Sequence, residues 1–214
     1  MPIKAFLFDL DGVIVDTAKY HFIAWKRLAN ELGVDFTEEE NEQLKGVSRR
    51  GSIEKIMEWG NIQLSEEEIE HWMKVKNDWY LELIAHMNPN ETLAGAKECL
   101  EQAQAHGIKI ALGSASKNAP MILRQCELED FFEAVIDGTK VTHSKPHPEV
   151  FLKGAAALGV APEECVVFED SKAGIEAAIA GGMRTVAIGT PEILPGAEVY
   201  VEGLHEFNTA TYLS

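Results

Sequence analysis

The sequence predicts an α/β fold: a doubly wound, Rossmann-like parallel sheet core with a small all-helical cap inserted after its first strand. Three observations predict it. A short apolar strand opens the chain, the block from residue 17 to 87 shows only helical periodicity, and from residue 88 helices alternate with near-continuous apolar strands. Strands covered on both faces read as unbroken apolar runs, and repeated helix–strand units build parallel sheets. The expected division is a core of residues 1–16 plus 88–214 and a cap of residues 17–87.

Taken in order, Ile3 to Phe8 is the first strand, ended by the turn-forming Asp11-Gly12 pair. In the cap, Phe22, Trp25, Leu28, Ala29 and Leu32 recur at helical spacing, and Gly33 supplies a stop. Thr37 with Glu40 and Ser65 with Glu68 match capping boxes, each placing carboxylates at a helix N-terminus. The second box opens a long helix with Ile69, Trp72, Met73, Tyr80, Leu83 and Ile84 among its apolar positions. In the core, the expected helices and strands are Ala94–His106 then Ile108–Gly113, and Asn118–Cys126 then Ala134–Ile136. Glu149–Leu158 then Cys165–Phe168, and Ala173–Ala180 then Thr185–Ile188, complete the series.

Composition narrows the function. Hydrophobic residues at 46% and charged residues at 25% are those of an ordinary globular chain. The 19 basic residues against 35 acidic ones leave a net charge of −16. A broad nucleic-acid or anionic-membrane surface needs clustered positive charge, so neither partner is expected. The longest charge-free stretch, Gly154 to Pro162, falls well short of the ~20 residues that span a bilayer. The opening Pro2-Ile3-Lys4 lacks the features of a signal peptide. Cys99, Cys126 and Cys165 are dispersed and odd in number, which implies neither a disulfide framework nor a zinc site. A soluble, cytoplasmic monomer is expected. An anionic substrate would therefore have to be met by local positive charge.

In open α/β sheets, ligands bind beyond the carboxyl ends of the strands. Those ends deliver Asp9 and Asp11, then Ser114, Ala115, Ser116, Lys117 and Asn118, then Lys145 before Pro146, and finally Glu169 and Asp170. Asp9 and Asp11 are two apart, so an extended chain aims both to one side. Buried like charges repel and are costly unless paired or metal-bound. With Glu169 and Asp170 the cluster calls for a hard cation such as Mg²⁺ on carboxylate oxygens, with all four as candidate ligands.

Phe8-Asp9-Leu10-Asp11-Gly12, Ser114, Lys145-Pro146 and Glu169-Asp170 resemble the four motifs of the haloacid dehalogenase superfamily. The resemblance runs over nearly the whole chain. It implies that Asp9 is a nucleophile taking up a phosphoryl group and that Asp11 is the general acid/base of the phosphotransferases, which argues against dehalogenation. Lys145 and Ser114 would then steady the transferring phosphoryl with Mg²⁺.

The cap narrows the resemblance. His21, Trp25, Leu44-Lys45-Gly46-Val47-Ser48-Arg49, Ser52 and Lys76-Asn77 resemble the cap of that superfamily's mutases acting on β-glucose phosphates. The Ser114 to Asn118 loop resembles their core loop for the non-transferring phosphate. His21 would orient Asp11, and Thr17 would stand at the hinge. The implied substrates are β-D-glucose 1-phosphate and glucose 6-phosphate, exchanged through glucose 1,6-bisphosphate. A sugar-phosphate phosphatase is the alternative, since it shares every core residue. One departure is Arg50-Gly51, where an acidic residue is expected after Arg49. A second arginine beside the first leaves two candidates for the distal phosphate, and spacing from Gly46 favours Arg49. Gly51 is expected to loosen the following helix start by up to ~1 kcal/mol relative to Ala.

Overall fold

A computed structural model describes residues 2–213. Its sheet contains β1 (Ala5–Phe8), β2 (Lys109–Gly113), β3 (Ala134–Ile136), β4 (Cys165–Glu169), β5 (Arg184–Ile188) and β6 (Val199–Val201). All are parallel, in the order β3-β2-β1-β4-β5-β6. The first five match the expected strands to within two residues at either end. β6 was not anticipated. It is a three-residue edge strand, half-buried throughout and flanked by Glu198 and Glu202, so it offers no apolar run to detect.

The period of two along β1 sorts its side chains into two cores. Phe6 and Phe8 point to one face with Ile110, Leu112, Phe168 and Phe207, packed under helices α5 (Ala96–Ala105) and α6 (Ala119–Gln125). Ala5 and Leu7 point to the other, with Ala111 and Val167, against α7 (Glu149–Leu158) and α8 (Lys172–Ala180). On the first face Phe168 stacks on Phe8 at 4.4 Å and meets Phe6 and Phe207 edge-on at 5.0 and 4.9 Å. A last helix, α9, covers Thr209–Leu213.

Strand order reverses at β1, with β2 and β3 to one side and β4 to β6 to the other. Phe8 is level with Leu112 and with Phe168. The residues that follow, Asp9, Gly113-Ser114 and Glu169-Asp170, therefore emerge together at one rim of the sheet, in the crevice that such a reversal opens.

Between β1 and α5 the chain forms four α-helices, here numbered ahead of those already described: α1 (Ala18–Glu31), α2 (Glu38–Glu42), α3 (Arg49–Gly60) and α4 (Glu66–Ile84). Both capping boxes form, with Thr37 accepting from the Glu40 N–H and Ser65 from the Glu68 N–H. These helices enclose their own apolar cluster, including Trp25, Leu28, Phe36, Ile53, Ile56 and Ile69. At the base Ala24, Tyr80 and Ile84 join the core of the sheet, and Lys19 and Tyr20 bond Glu91 at 2.7 and 3.1 Å. The Gly51 expectation changes in context. A Cβ there would meet Val47 Cγ1 at 2.9 Å, so the missing side chain lets Val47 pack on the first turn of α3, which Ser48 caps.

Phe168→Ala removes the ring shared by three aromatic neighbours. We expect a loss of about 3–5 kcal/mol, read as a lower denaturant midpoint. A loss below about 1 kcal/mol would show that the aromatic cluster is not central to the core.

Candidate active site

The rim of the sheet carries a buried group of alternating charges. Asp9 follows β1 and its N–H donates to the Phe168 carbonyl at 3.0 Å. Lys145, from the loop between β3 and α7, reaches in until its Nζ lies 2.6 Å from Asp9 Oδ1 and 2.7 Å from Glu169 Oε2. The other Glu169 oxygen accepts from the Ser171 hydroxyl at 2.7 Å, and that hydroxyl in turn accepts from the Gly174 N–H, capping α8. A Cβ on Gly174 would stand 2.0 Å from the Glu169 carboxylate, so only glycine admits this arrangement. Asp170 pairs through Oδ2 with Lys45 of the helical block at 3.2 Å.

Asp9, Glu169 and Asp170 each bring a carboxylate oxygen within 4.8 Å of the other two. Burial pushes the Asp9 carboxyl well above its ordinary range, and repulsion from Glu169 adds to this against the pull of Lys145. Burial likewise raises Asp170, to about 7, although Lys45 opposes it. Burial would lower Lys145, but attraction to Asp9 and Glu169 outweighs it and the net shift is upward. Oxygen-only donors that repel one another out of reach of water fit a hard divalent cation, Mg²⁺ being the common one. With both Glu169 oxygens already bonded, Asp170 and Asp9 are the better placed for direct contact.

Asp11, expected as a fourth ligand, is not in this group. The chain stops being extended after Asp9: the N–H groups of Val13, Ile14 and Val15 all turn back to the Leu10 carbonyl. The Asp11 carboxylate instead accepts from the Thr17 hydroxyl and lies 3.9 Å from His21 Nε2. Thr17 is the N-cap residue of α1 yet makes no side-chain cap, because its hydroxyl is committed to Asp11. Burial raises the Asp11 carboxyl too, with the Thr17 bond acting in the opposite sense.

A cavity of about 560 Å³ lies between the rim and the helical block. From the core it is lined by Asp9, Asp11, Ser114, Ala115, Ser116, Lys117, Asn118, Lys145 and Asp170. From the helices it is lined by His21, Trp25, Gly46, Val47, Ser48, Arg49, Ser52 and Lys76. Of the residues expected from sequence, Thr17 and Glu169 stand behind this wall.

Lys76 is 2% exposed, with its ammonium 3.0 Å from His21 Nδ1 and over the rings of Trp25 and Tyr80 at 4.4 and 4.8 Å. Burial, with Arg49 nearby, holds the Lys76 amine well below its ordinary value, and burial and Lys76 do the same to His21. The two arginines part company. Arg50 is taken by Glu54 at 2.6 Å and Glu66 at 2.8 and 2.9 Å. Arg49 points inward and donates to Asn77 Oδ1 at 2.6 Å, and the same oxygen accepts from Asn118 Nδ2 of the core at 3.1 Å. In that loop Ser114 and Ser116 hydroxyls accept from the N–H groups of Ser116 and Asn118.

Among the lining residues, Tyr80 was not read as part of the site from sequence, and Lys45 and Asn77 entered only within the cap motifs, without a role. Asn77 joins Arg49 to Asn118, Tyr80 stacks on His21 at 4.2 Å, and Lys45 meets Asp170. The spacing of Lys76 and Tyr80, one helical turn apart, was the available signal. The backbone is equally constrained. Gly46, at φ +70°, would place a Cβ 2.5 Å from Ser171 Oγ, so the Gly46 loop lies directly on the rim.

A family model described as haloacid dehalogenase-like hydrolase matches residues 3–182. The chain is 42% identical to a β-phosphoglucomutase of Bacillus subtilis, covering 92% of this chain and 88% of the relative. It is 33% identical to a phosphorylated carbohydrates phosphatase of Thermotoga maritima, covering 86% and 83%. A crystal structure of β-phosphoglucomutase from Clostridium difficile superposes with a TM-score of 0.95 at 40% identity, covering 98% of this chain and 95% of that one.

Asp170 binds its proton more tightly folded than unfolded, so it costs the fold stability as pH rises from about 4 through about 7. A divalent cation on the same oxygens competes with that proton and offsets the loss. Thermal unfolding with and without Mg²⁺ should therefore show a larger rise in Tm at pH 8 than at pH 5. Equal increments at both would mean that these carboxylates do not hold the ion.

Proposed function

The chain belongs to the haloacid dehalogenase-like hydrolases, and we propose that it interconverts β-D-glucose 1-phosphate and D-glucose 6-phosphate through β-glucose 1,6-bisphosphate. One observation carries this reading. A nucleophile pole around Asp9 and Lys145 and a cationic pole around Arg49 and Lys76 line one cavity, which the helical block closes. A substrate with phosphates at both ends suits such a cavity. The 42% identical relative bears the name of that activity.

The chemistry follows from the residues. Lys145 occupies Asp9 Oδ1 and leaves the second oxygen to attack phosphorus. An O–P bond forms to Asp9 as the bond to the sugar oxygen breaks, splitting one transfer into two. Asp11, whose carboxyl burial shifts upward, gives a proton to the departing sugar oxygen. In the other half-reaction, Asp11 takes the proton from the free 6-hydroxyl of an entering β-glucose 1-phosphate as that oxygen attacks the aspartyl phosphate, which breaks the bond to Asp9 and forms the bisphosphate. Thr17 and His21 hold the Asp11 carboxylate in place. Mg²⁺ bound by Asp9, Glu169 and Asp170 would supply charge neutralisation to the phosphoryl oxygens. Lys145 and the Ser114 hydroxyl add fixed positive charge and a donor.

Transfer to sugar instead of water requires exclusion of solvent while the aspartyl phosphate exists. We read residues 17–87 as the cap that does this. It meets the core through the pairs Lys45–Asp170 and Asn77–Asn118 and through Gly46 over Ser171. Arg49, with Ser116, Lys117 and Asn118 opposite, takes the distal phosphate, and the intermediate turns end for end between the poles. Every group comes from one chain, which suits a monomer. Three unpaired buried cysteines suit a reducing, cytoplasmic setting. No helix among the described residues is long and apolar enough to cross a membrane.

Supplied with β-glucose 1-phosphate, Mg²⁺ and a trace of the bisphosphate, the protein should yield glucose 6-phosphate well in excess of free phosphate. Asp9→Asn should yield neither. Predominant phosphate release at saturating sugar phosphate would instead assign a phosphatase, the activity named for the Thermotoga maritima relative.

The arginines separate by substitution. Arg49→Ala should lower kcat/KM for sugar phosphate by about 10²-fold, in line with a lost charged phosphate contact of about 3 kcal/mol, while sparing hydrolysis of acetyl phosphate. Arg50→Ala should change neither by more than about twofold. The reverse ranking would transfer the distal phosphate to Arg50.

A further inference from the structure

Outside the Asp9 pole, a second group of ligating side chains stands at the mouth of the cavity. His143, His147 and Glu149 each bring an imidazole nitrogen or carboxylate oxygen within 4.8 Å of the others. The two rings stack at 4.5 Å with 28° between planes. His143 Nδ1 is 3.0 Å from Glu149 Oε2, and His147 Nδ1 accepts from the Glu149 N–H at 3.3 Å.

Glu149 is the fixed member. It opens α7, accepts the N–H of Thr142 at 3.1 Å and of His143 at 2.8 Å, and pairs with Lys153 at 2.6 Å. The loop from 142 to 149 thus folds back onto its own helix start and presents both rings on one side. The side chain of His143 is 63% exposed, so an ion in solution can reach the group.

The donor set differs in kind from the Asp9 pole. Two imidazoles and a carboxylate suit zinc-class ions and leave a fourth position open, whereas Mg²⁺ prefers oxygen alone. We propose that His143, His147 and Glu149 form a second metal site, selective for a zinc-class divalent ion. Lys145 lies midway between the two histidines, and His143 lines the cavity. An ion in this site ties together the two flanks of the loop that delivers the Lys145 ammonium to Asp9 and Glu169.

The test is calorimetric titration of Zn²⁺ into the tag-free full chain under saturating Mg²⁺, which keeps the carboxylate pole occupied. One zinc ion per chain is expected. His143→Ala and His147→Ala should each weaken binding by about tenfold or more, and Asp170→Asn should leave it unchanged. Titration with Co²⁺ should give visible absorption from imidazole ligation that both histidine variants lose. Zinc affinity unaltered by either histidine substitution, or abolished by excess Mg²⁺ or by Asp170→Asn, would overturn the proposal.

Discussion

Lys145 makes the rim of the sheet possible. Strands β1 and β4 run side by side and each ends in a carboxylate, so the fold itself drives Asp9 and Glu169 together away from water. Neither is stable there as a bare charge. One ammonium with 1% of its side chain exposed bridges both. A buried pair deprived of one partner typically costs about 3–5 kcal/mol. The arrangement nevertheless remains deficient in positive charge, since Asp170 adds a third carboxylate and only Lys45, from the helical block, joins Lys145 against the three. That residual deficit is what a divalent ion and a phosphoryl group in transit have to be matched against.

The opposite wall has the reverse imbalance. Arg49, Lys76 and His21 face the cavity, and the carboxylates that could neutralise Arg50 lie on the outer side of the helices. A chain with net charge −16 thus gathers basic side chains on one wall of an enclosed cavity. Burial and mutual repulsion weaken the hold of Lys76 and His21 on their protons. A bound anion relieves that repulsion, which makes binding at this wall sensitive to phosphate charge.

The strands were legible because the sheet is covered on both faces, so β1, β2 and β4 appear as unbroken apolar runs. The helix starts were legible because Thr37 and Ser65 carry their capping partners three residues on. β6 was not, being short and half-buried. Within the site, Asp9, Lys145 and Glu169 could be placed at strand ends without knowing any distance. The direction of Asp11 could not, because it depends on the turn at Leu10 and on a threonine six residues later. Asn77 stood in the cap motif, but its part, receiving two donors from different elements, was not legible. Spacing from Gly46 favours Arg49 over Arg50, and the structure adds the physical reason, since α4 brings Glu66 beside Arg50.

The contact between Lys45 and Asp170 joins the two halves of the molecule at the oxygens that face the ion. A side chain from the helical block thereby shares an electrostatic partner with any cation held by these carboxylates. By thermodynamic reciprocity, whatever strengthens one attachment weakens the other to the same degree. Cation binding at Asp170 and the attachment of Lys45 would then be two coordinates of a single equilibrium.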